Sequence, residues 1–148
     1  MSYTKLQHHI VFATKDRHPF LQGEALSRTC EYIGGIIREQ HGQMLAAGGM
    51  ADHVHLAAVL PPSAAPVDIL RILKTNSSRW VHKTFSSLAD FHWQDGYAAF
   101  SVSASAMPHV IAYVRGQAQH HRTQSFEEEF IALLKRHGIE YDERHVFA

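Results

Sequence analysis

Two histidines, a tyrosine and a glutamine are the residues of this sequence whose types and spacing suggest chemistry. His53 and His55 lie in Asp52-His53-Val54-His55-Leu56-Ala57-Ala58-Val59-Leu60, which alternates polar and apolar, turns apolar, and stops at Pro61-Pro62. In a β-strand, residues i and i+2 project to the same face. Both imidazoles therefore share one face, where a single metal ion can sit between them. Taken alone, the pair reads more readily as two polar residues on the solvent face of a half-buried strand than as a site. A structural zinc site is disfavoured, because it needs four protein ligands and usually cysteines, and the chain has one cysteine. A nucleotide-hydrolase histidine triad would need a third histidine where Ala57 stands.

The second candidate lies in His109-Val110-Ile111-Ala112-Tyr113-Val114-Arg115-Gly116-Gln117-Ala118-Gln119-His120-His121. At helical spacing, Tyr113, Gln117 and His120 fall in a narrow arc, about a quarter turn from a stripe of Val110, Ile111, Val114 and Ala118. A tyrosine is a poor nucleophile near neutral pH, since its pKa is about 10. A divalent ion assists it by polarising the phosphate under attack. Two histidines leave such an ion with open positions, and Gln117 offers a neutral oxygen as a third ligand from the tyrosine's own helix. Gly116 costs that helix about 1 kcal/mol relative to alanine; it would also admit close approach of a backbone or ligand.

The elements that must position these residues follow from periodicity. Residues 6–14 read as a first strand and residues 23–40 as a helix with Leu26, Cys30, Ile33 and Ile37 as its buried stripe. Residues 43–50 and 52–60 form an antiparallel pair, joined by a short link. Pro66 opens a second helix, with Asp68 in its first turn and Ile69, Leu73, Trp80 and Val81 on its apolar side. An irregular aromatic segment, 91–97, precedes a fourth strand at 98–105. A helix over 107–122, a short acidic-then-basic helix over 126–137 and an extended tail over 139–147 complete the chain. The order β-α-β-β-α-β-α specifies an α+β, ferredoxin-like sandwich, an antiparallel sheet with helices packed on one face.

Composition agrees with a single domain spanning residues 1–148: hydrophobic residues make up 45% and charged residues 19%. No apolar run approaches the ~20 residues of a membrane span. The first residues show no signal-like apolar core, and Cys30 occupies an apolar helix position. The expected location is cytoplasmic and nucleoid-associated, with no membrane contact. Formal net charge is zero despite 13 histidines, so nucleic-acid binding would rest on a local basic patch. Lys5, Lys15 and Arg17 near the first strand, Arg71, Lys74, Arg79 and Lys83 along the second helix, and Arg115 beside Tyr113 form the candidate phosphate-contacting set.

The motif His53-Val54-His55, with Tyr113-Val114-Arg115-Gly116-Gln117 placing tyrosine and glutamine one turn apart, resembles the single-tyrosine HUH transposases of bacterial insertion sequences (TnpA type). It also resembles their REP-associated tyrosine transposase (RAYT) relatives. Agreement continues through His9-Ile10-Val11-Phe12-Ala13-Thr14-Lys15, Gly49-Met50-Ala51-Asp52, Trp93-Gln94-Asp95-Gly96-Tyr97 and Gly138-Ile139-Glu140-Tyr141-Asp142-Glu143-Arg144. Arg115-Gly116 departs from it, since the family often carries a polar residue before the glutamine.

The resemblance implies a metal-dependent enzyme that cleaves and rejoins hairpin-flanked single-stranded DNA. Tyr113 would be the nucleophile, forming a 5′-phosphotyrosine. His53, His55 and Gln117 would hold Mg²⁺ or Mn²⁺. It further implies a homodimer whose active site is shared between subunits. The alternative is a domesticated protein that binds REP hairpins with little or no transposition activity. A small metal-dependent phosphodiesterase, which forms no covalent adduct, is a third reading.

Overall fold

A computed structural model describes residues 1–148. Four strands form one antiparallel sheet: β1 (Leu6–Ala13), β2 (Gln43–Met50), β3 (His53–Leu60) and β4 (Ala98–Ser101), in the order β2-β3-β1-β4. Between them run α1 (Glu24–Glu39) and α2 (Pro66–Thr84), and after β4 come α3 (Met107–Arg115), α4 (Gln117–His120) and α5 (Phe126–Arg136). The α+β class and the antiparallel ferredoxin-like sheet are those the sequence specifies.

Strand alternation divides the core. Ile10 and Phe12 of β1, with Val54, Leu56, Ala58 and Leu60 of β3, pack against Ile33 and Ile37 of α1 and Ile69, Leu70 and Leu73 of α2. The intervening residues point the other way. Val11, Ala13, Ala98 and Phe100 meet Phe126, Leu133 and Leu134 of α5, while Ala46 and Ala57 meet Met107 and Val114 of α3. Helices thus cover both faces of the sheet. The expectation of helices on one face holds for α1 and α2 only. Central strand β3 is consequently buried on both sides.

The long helix expected over 107–122 is two pieces. Gly116 caps α3, with its N–H bonded to the carbonyls of Ala112 and Tyr113, and α4 restarts at Gln117. The interruption ends the apolar stripe at Val114: Ala118 is exposed and Gln117 is buried instead. β4 stops at Ser101, because Ser103 turns the chain and its hydroxyl accepts from Ala106 N–H. The tail is not extended. The N–H groups of His145 and Val146 both donate to Asp142 O, and Phe147 folds back against Phe126 and Phe130.

The close approach between backbones occurs at Gly48 rather than Gly116. A Cβ on Gly48 would lie 2.1 Å from Val114 O, so the last turn of α3 rests directly on β2. Gly48 pairs with His55 in the sheet, which is how the helix carrying Tyr113 comes to lie over the histidines. Gly48→Ala is therefore expected to destabilise the fold by about 1–3 kcal/mol. Gly35→Ala in α1, where the nearest atom to a new Cβ is a flexible Arg38 nitrogen at 3.8 Å, should instead stabilise it by about 0.5–1 kcal/mol. Urea unfolding of the two variants checks both signs.

Candidate active site

The residues picked out by type and spacing meet on the sheet face covered by α3, α4 and α5. His53 and His55 are 0% exposed. They project from β3 between Val11 and Ala13 of β1 and Gly48 and Met50 of β2. The pair is therefore not a solvent-facing one. Gln117 and Glu129 are buried beside them, and Tyr113 is half-buried.

The imidazoles are held from outside and turned inward. His53 Nδ1 donates to Asp52 Oδ1 at 2.7 Å, and His121 Nδ1 donates to the Gln124 carbonyl at 2.7 Å. His55 Nδ1 lies 2.8 Å from His9 Nε2. On the inner side, Glu129 Oε1 is 2.9 Å from His55 Nε2, 3.1 Å from His121 Nε2 and 3.5 Å from His53 Nε2. Gln117 Oε1 is 3.1 Å from Nε2 of both His53 and His121. The Tyr113 hydroxyl donates to Glu129 Oε2. One carboxylate thus touches both the nucleophile candidate and the histidines.

This arrangement fits a divalent cation. A carboxylate and a carbonyl oxygen can only accept, so the Nδ1 atoms of His53 and His121 carry the protons. In the neutral tautomer, the Nε2 lone pairs face Gln117 Oε1 and Glu129 Oε1, which are acceptors too. In that form acceptor opposes acceptor, and a cation shared by these atoms relieves it. Ligand atoms of His53, His55 and Glu129 lie within 4.8 Å of one another. Outer hydrogen bonds such as Asp52 to His53 are how metal-binding histidines are oriented.

Burial sets the electrostatics. It pushes His55 below the usual imidazole range and, with His55 adjacent, lowers His9 to about 3. Burial works against the Glu129 charge, but the hydrogen bond from His55 and the nearby imidazoles hold its carboxyl well below the usual range. Asp52 is likewise held down by His53 against its own desolvation. Burial and the Glu129 carboxylate both raise the Tyr113 hydroxyl above the ordinary tyrosine value.

Sequence reading did not single out Glu129, His121, His9 or Asp52 as site residues. Glu129 had a signal. It occupies the apolar phase of α5 with Phe126, Leu133 and Leu134, where a carboxylate needs a partner. Within the chain, Tyr113 lies on the glutamate that faces His55. Of the basic candidates, Arg17 pairs with Glu127 at 2.8 Å, Arg71 with Asp68 at 3.0 Å, and Lys74 donates to the Gln94 and Gly96 carbonyls. Lys5, Lys15, Arg79, Lys83 and Arg115 have no ion-pair partner and are exposed.

The family model described as "Transposase IS200 like" matches residues 2–117. The chain is 25% identical over 118 residues to the ISDra2 transposase TnpA of Deinococcus radiodurans, covering 76% of this chain and 84% of that protein. A crystal structure of a protein from Deinococcus radiodurans R1 superposes with a TM-score of 0.65 at 25% identity, over 76% of this chain and 91% of that one. The structure of a REP-associated tyrosine transposase bound to a REP hairpin superposes with a TM-score of 0.56 at 16% identity, over 77% and 67%, a likeness of fold.

A buried, neutral His9 makes the fold acid-sensitive. The unfolded chain protonates this residue near its ordinary value of 6.5, whereas the folded chain resists protonation down to about 3. More protons bind to the unfolded state between those values, so stability falls as pH drops through this window. The slope from one such group is at most about 1.4 kcal/mol per pH unit. The metal-free His9→Gln variant should show a shallower decline between pH 6.5 and 4, measured by urea unfolding.

Proposed function

Since this chain belongs to the IS200-like transposase family, we propose that it cleaves and rejoins single-stranded DNA at hairpin-flanked sites, with Tyr113 as the nucleophile. The observation that carries this reading is the convergence, in one buried cluster, of the Tyr113 hydroxyl, the Glu129 carboxylate and the inward-turned His53 and His55. A solved relative described as bound to a REP hairpin supports hairpin DNA as the partner class.

Tyr113 Oη attacks the backbone phosphorus and the P–O3′ bond breaks. The products are a 5′-phosphotyrosine and a 3′-oxygen that leaves with the bonding electrons and takes up a proton. The phenolic proton departs during attack, and Glu129 Oε2 already accepts it in a hydrogen bond. Attack by a second 3′-hydroxyl reverses the step and joins new ends without a nucleotide cofactor, because the phosphotyrosine keeps the bond energy. His53, His55, Gln117 and Glu129 would hold Mg²⁺ or Mn²⁺, which when bound supplies Lewis-acid polarisation of the phosphate. Asp52 and His9 keep the histidine rings oriented. Of the basic residues picked out by the sequence, Lys5, Lys15, Arg79, Lys83 and Arg115 are the ones without an ion-pair partner and would contact backbone phosphates.

Incubation with a hairpin oligonucleotide and Mn²⁺ tests the assignment. A 3′-end label should remain on the protein in denaturing gels and a 5′-end label should be released. Tyr113→Phe should lose the adduct completely, and an adduct that survives would sink the assignment. A hairpin-binding protein without turnover would retain the oligonucleotide but form no adduct. The Tyr113–Glu129–His55 contact lies within one chain and supports a site complete in that chain. Mixing Tyr113→Phe and His53→Ala chains should then restore no cleavage, whereas a site shared between subunits would recover it.

A further inference from the structure

Resting on the metal centre just described, we propose that His121 is a third imidazole ligand of the same ion, and that the resulting donor set takes a late first-row transition ion (Co²⁺, Ni²⁺, Zn²⁺) in preference to Mg²⁺. His121 lies outside the family-matched segment, which ends at Gln117. It sits where α4 gives way to the turn leading into α5.

His121 divides its two nitrogens between different tasks. Nδ1 donates to the Gln124 carbonyl and closes the turn. Holding the turn needs nothing from Nε2. Yet Nε2 is directed inward, 3.1 Å from Gln117 Oε1 and 3.1 Å from Glu129 Oε1. In the tautomer with Nδ1–H, the Nε2 lone pair is directed into the same space as these two oxygens. The side chain is 7% exposed. The His121 ring also lies against His53, with centroids 4.6 Å apart. A cation bound by His53, His55 and Glu129 would therefore have the His121 lone pair beside two of its oxygen ligands. The set becomes three imidazoles, one carboxylate and one amide oxygen.

That composition has a chemical consequence. Mg²⁺ prefers oxygen ligands, keeps several waters and demands near-octahedral geometry. Imidazole nitrogen suits the later first-row ions, whose affinities rise along the series. Three nitrogens drawn from a strand and a helix end bias the site away from Mg²⁺ more strongly than the histidine pair alone.

The test is a Co²⁺ titration of the metal-free full chain, followed by visible absorption and by calorimetry, for wild type, His53→Ala, His121→Ala and His121→Asn. Wild type should bind one Co²⁺ that a hundredfold excess of Mg²⁺ does not displace. His53→Ala should bind none. Both His121 variants should bind at least tenfold more weakly, with a changed absorption band. Displacement of Co²⁺ by Mg²⁺ would overturn the selectivity. His121 variants that bind within twofold of wild type, with an unchanged spectrum, would overturn the His121 assignment and leave the metal centre standing. Absence of binding by folded wild type would remove the metal centre itself. Ring-nitrogen NMR of wild type during Zn²⁺ titration asks the same question without any substitution: the Nε2 signals of His53, His55 and His121 should move together, and a stationary His121 refutes the proposal.

Discussion

Glu129 is the hinge of this molecule's chemistry. Its Oε1 lies among three imidazole nitrogens and its Oε2 accepts the Tyr113 hydroxyl, all within the interior. A buried carboxylate without partners is costly, and losing one member of such a pair typically destabilises by about 3–5 kcal/mol. The cluster therefore ties β3, α3, the α4–α5 turn and α5 together as much as it supplies reactive groups. Polar cohesion on this face replaces part of the apolar cohesion that holds α1 and α2 to the other.

Packing must be close for that cluster to form. Gly48 removes the one Cβ that would separate α3 from β2. At the start of α5, Ser125 Oγ accepts from Glu128 N–H while the Glu128 carboxylate accepts from Ser125 N–H. This capping box sets where the helix begins and thus its rotational phase. The phase matters because Glu127, Glu128 and Glu129 are consecutive. Glu127 pairs with Arg17, Glu128 closes the cap, and Glu129 turns inward to the histidines. Three identical side chains acquire three roles from about 100° of helical rotation each.

Much of this is legible in the sequence. Alternation in β1 and β3, the stripe of α1 and the proline start of α2 gave the antiparallel sheet and its first helical layer, because period and burial are local properties. Helical spacing links the tyrosine and the glutamine. Less legible was the second helical layer. The stretch around Gly116 reads as continuous helix by periodicity, and only the contact with β2 makes an interruption there useful. The tail reads as extended because nothing local announces that Phe147 docks on Phe126 and Phe130.

The sequence by itself determined the strand that carries His53 and His55, their common face, and the spacing that joins Tyr113 to Gln117. These depend on backbone periodicity, which a single segment encodes. Tertiary structure alone decided that this face is buried rather than wet. It also decided that Glu129 and His121, 74 and 66 residues after His55, meet it. Those outcomes depend on which helices close over which side of the sheet, and no one segment holds that information.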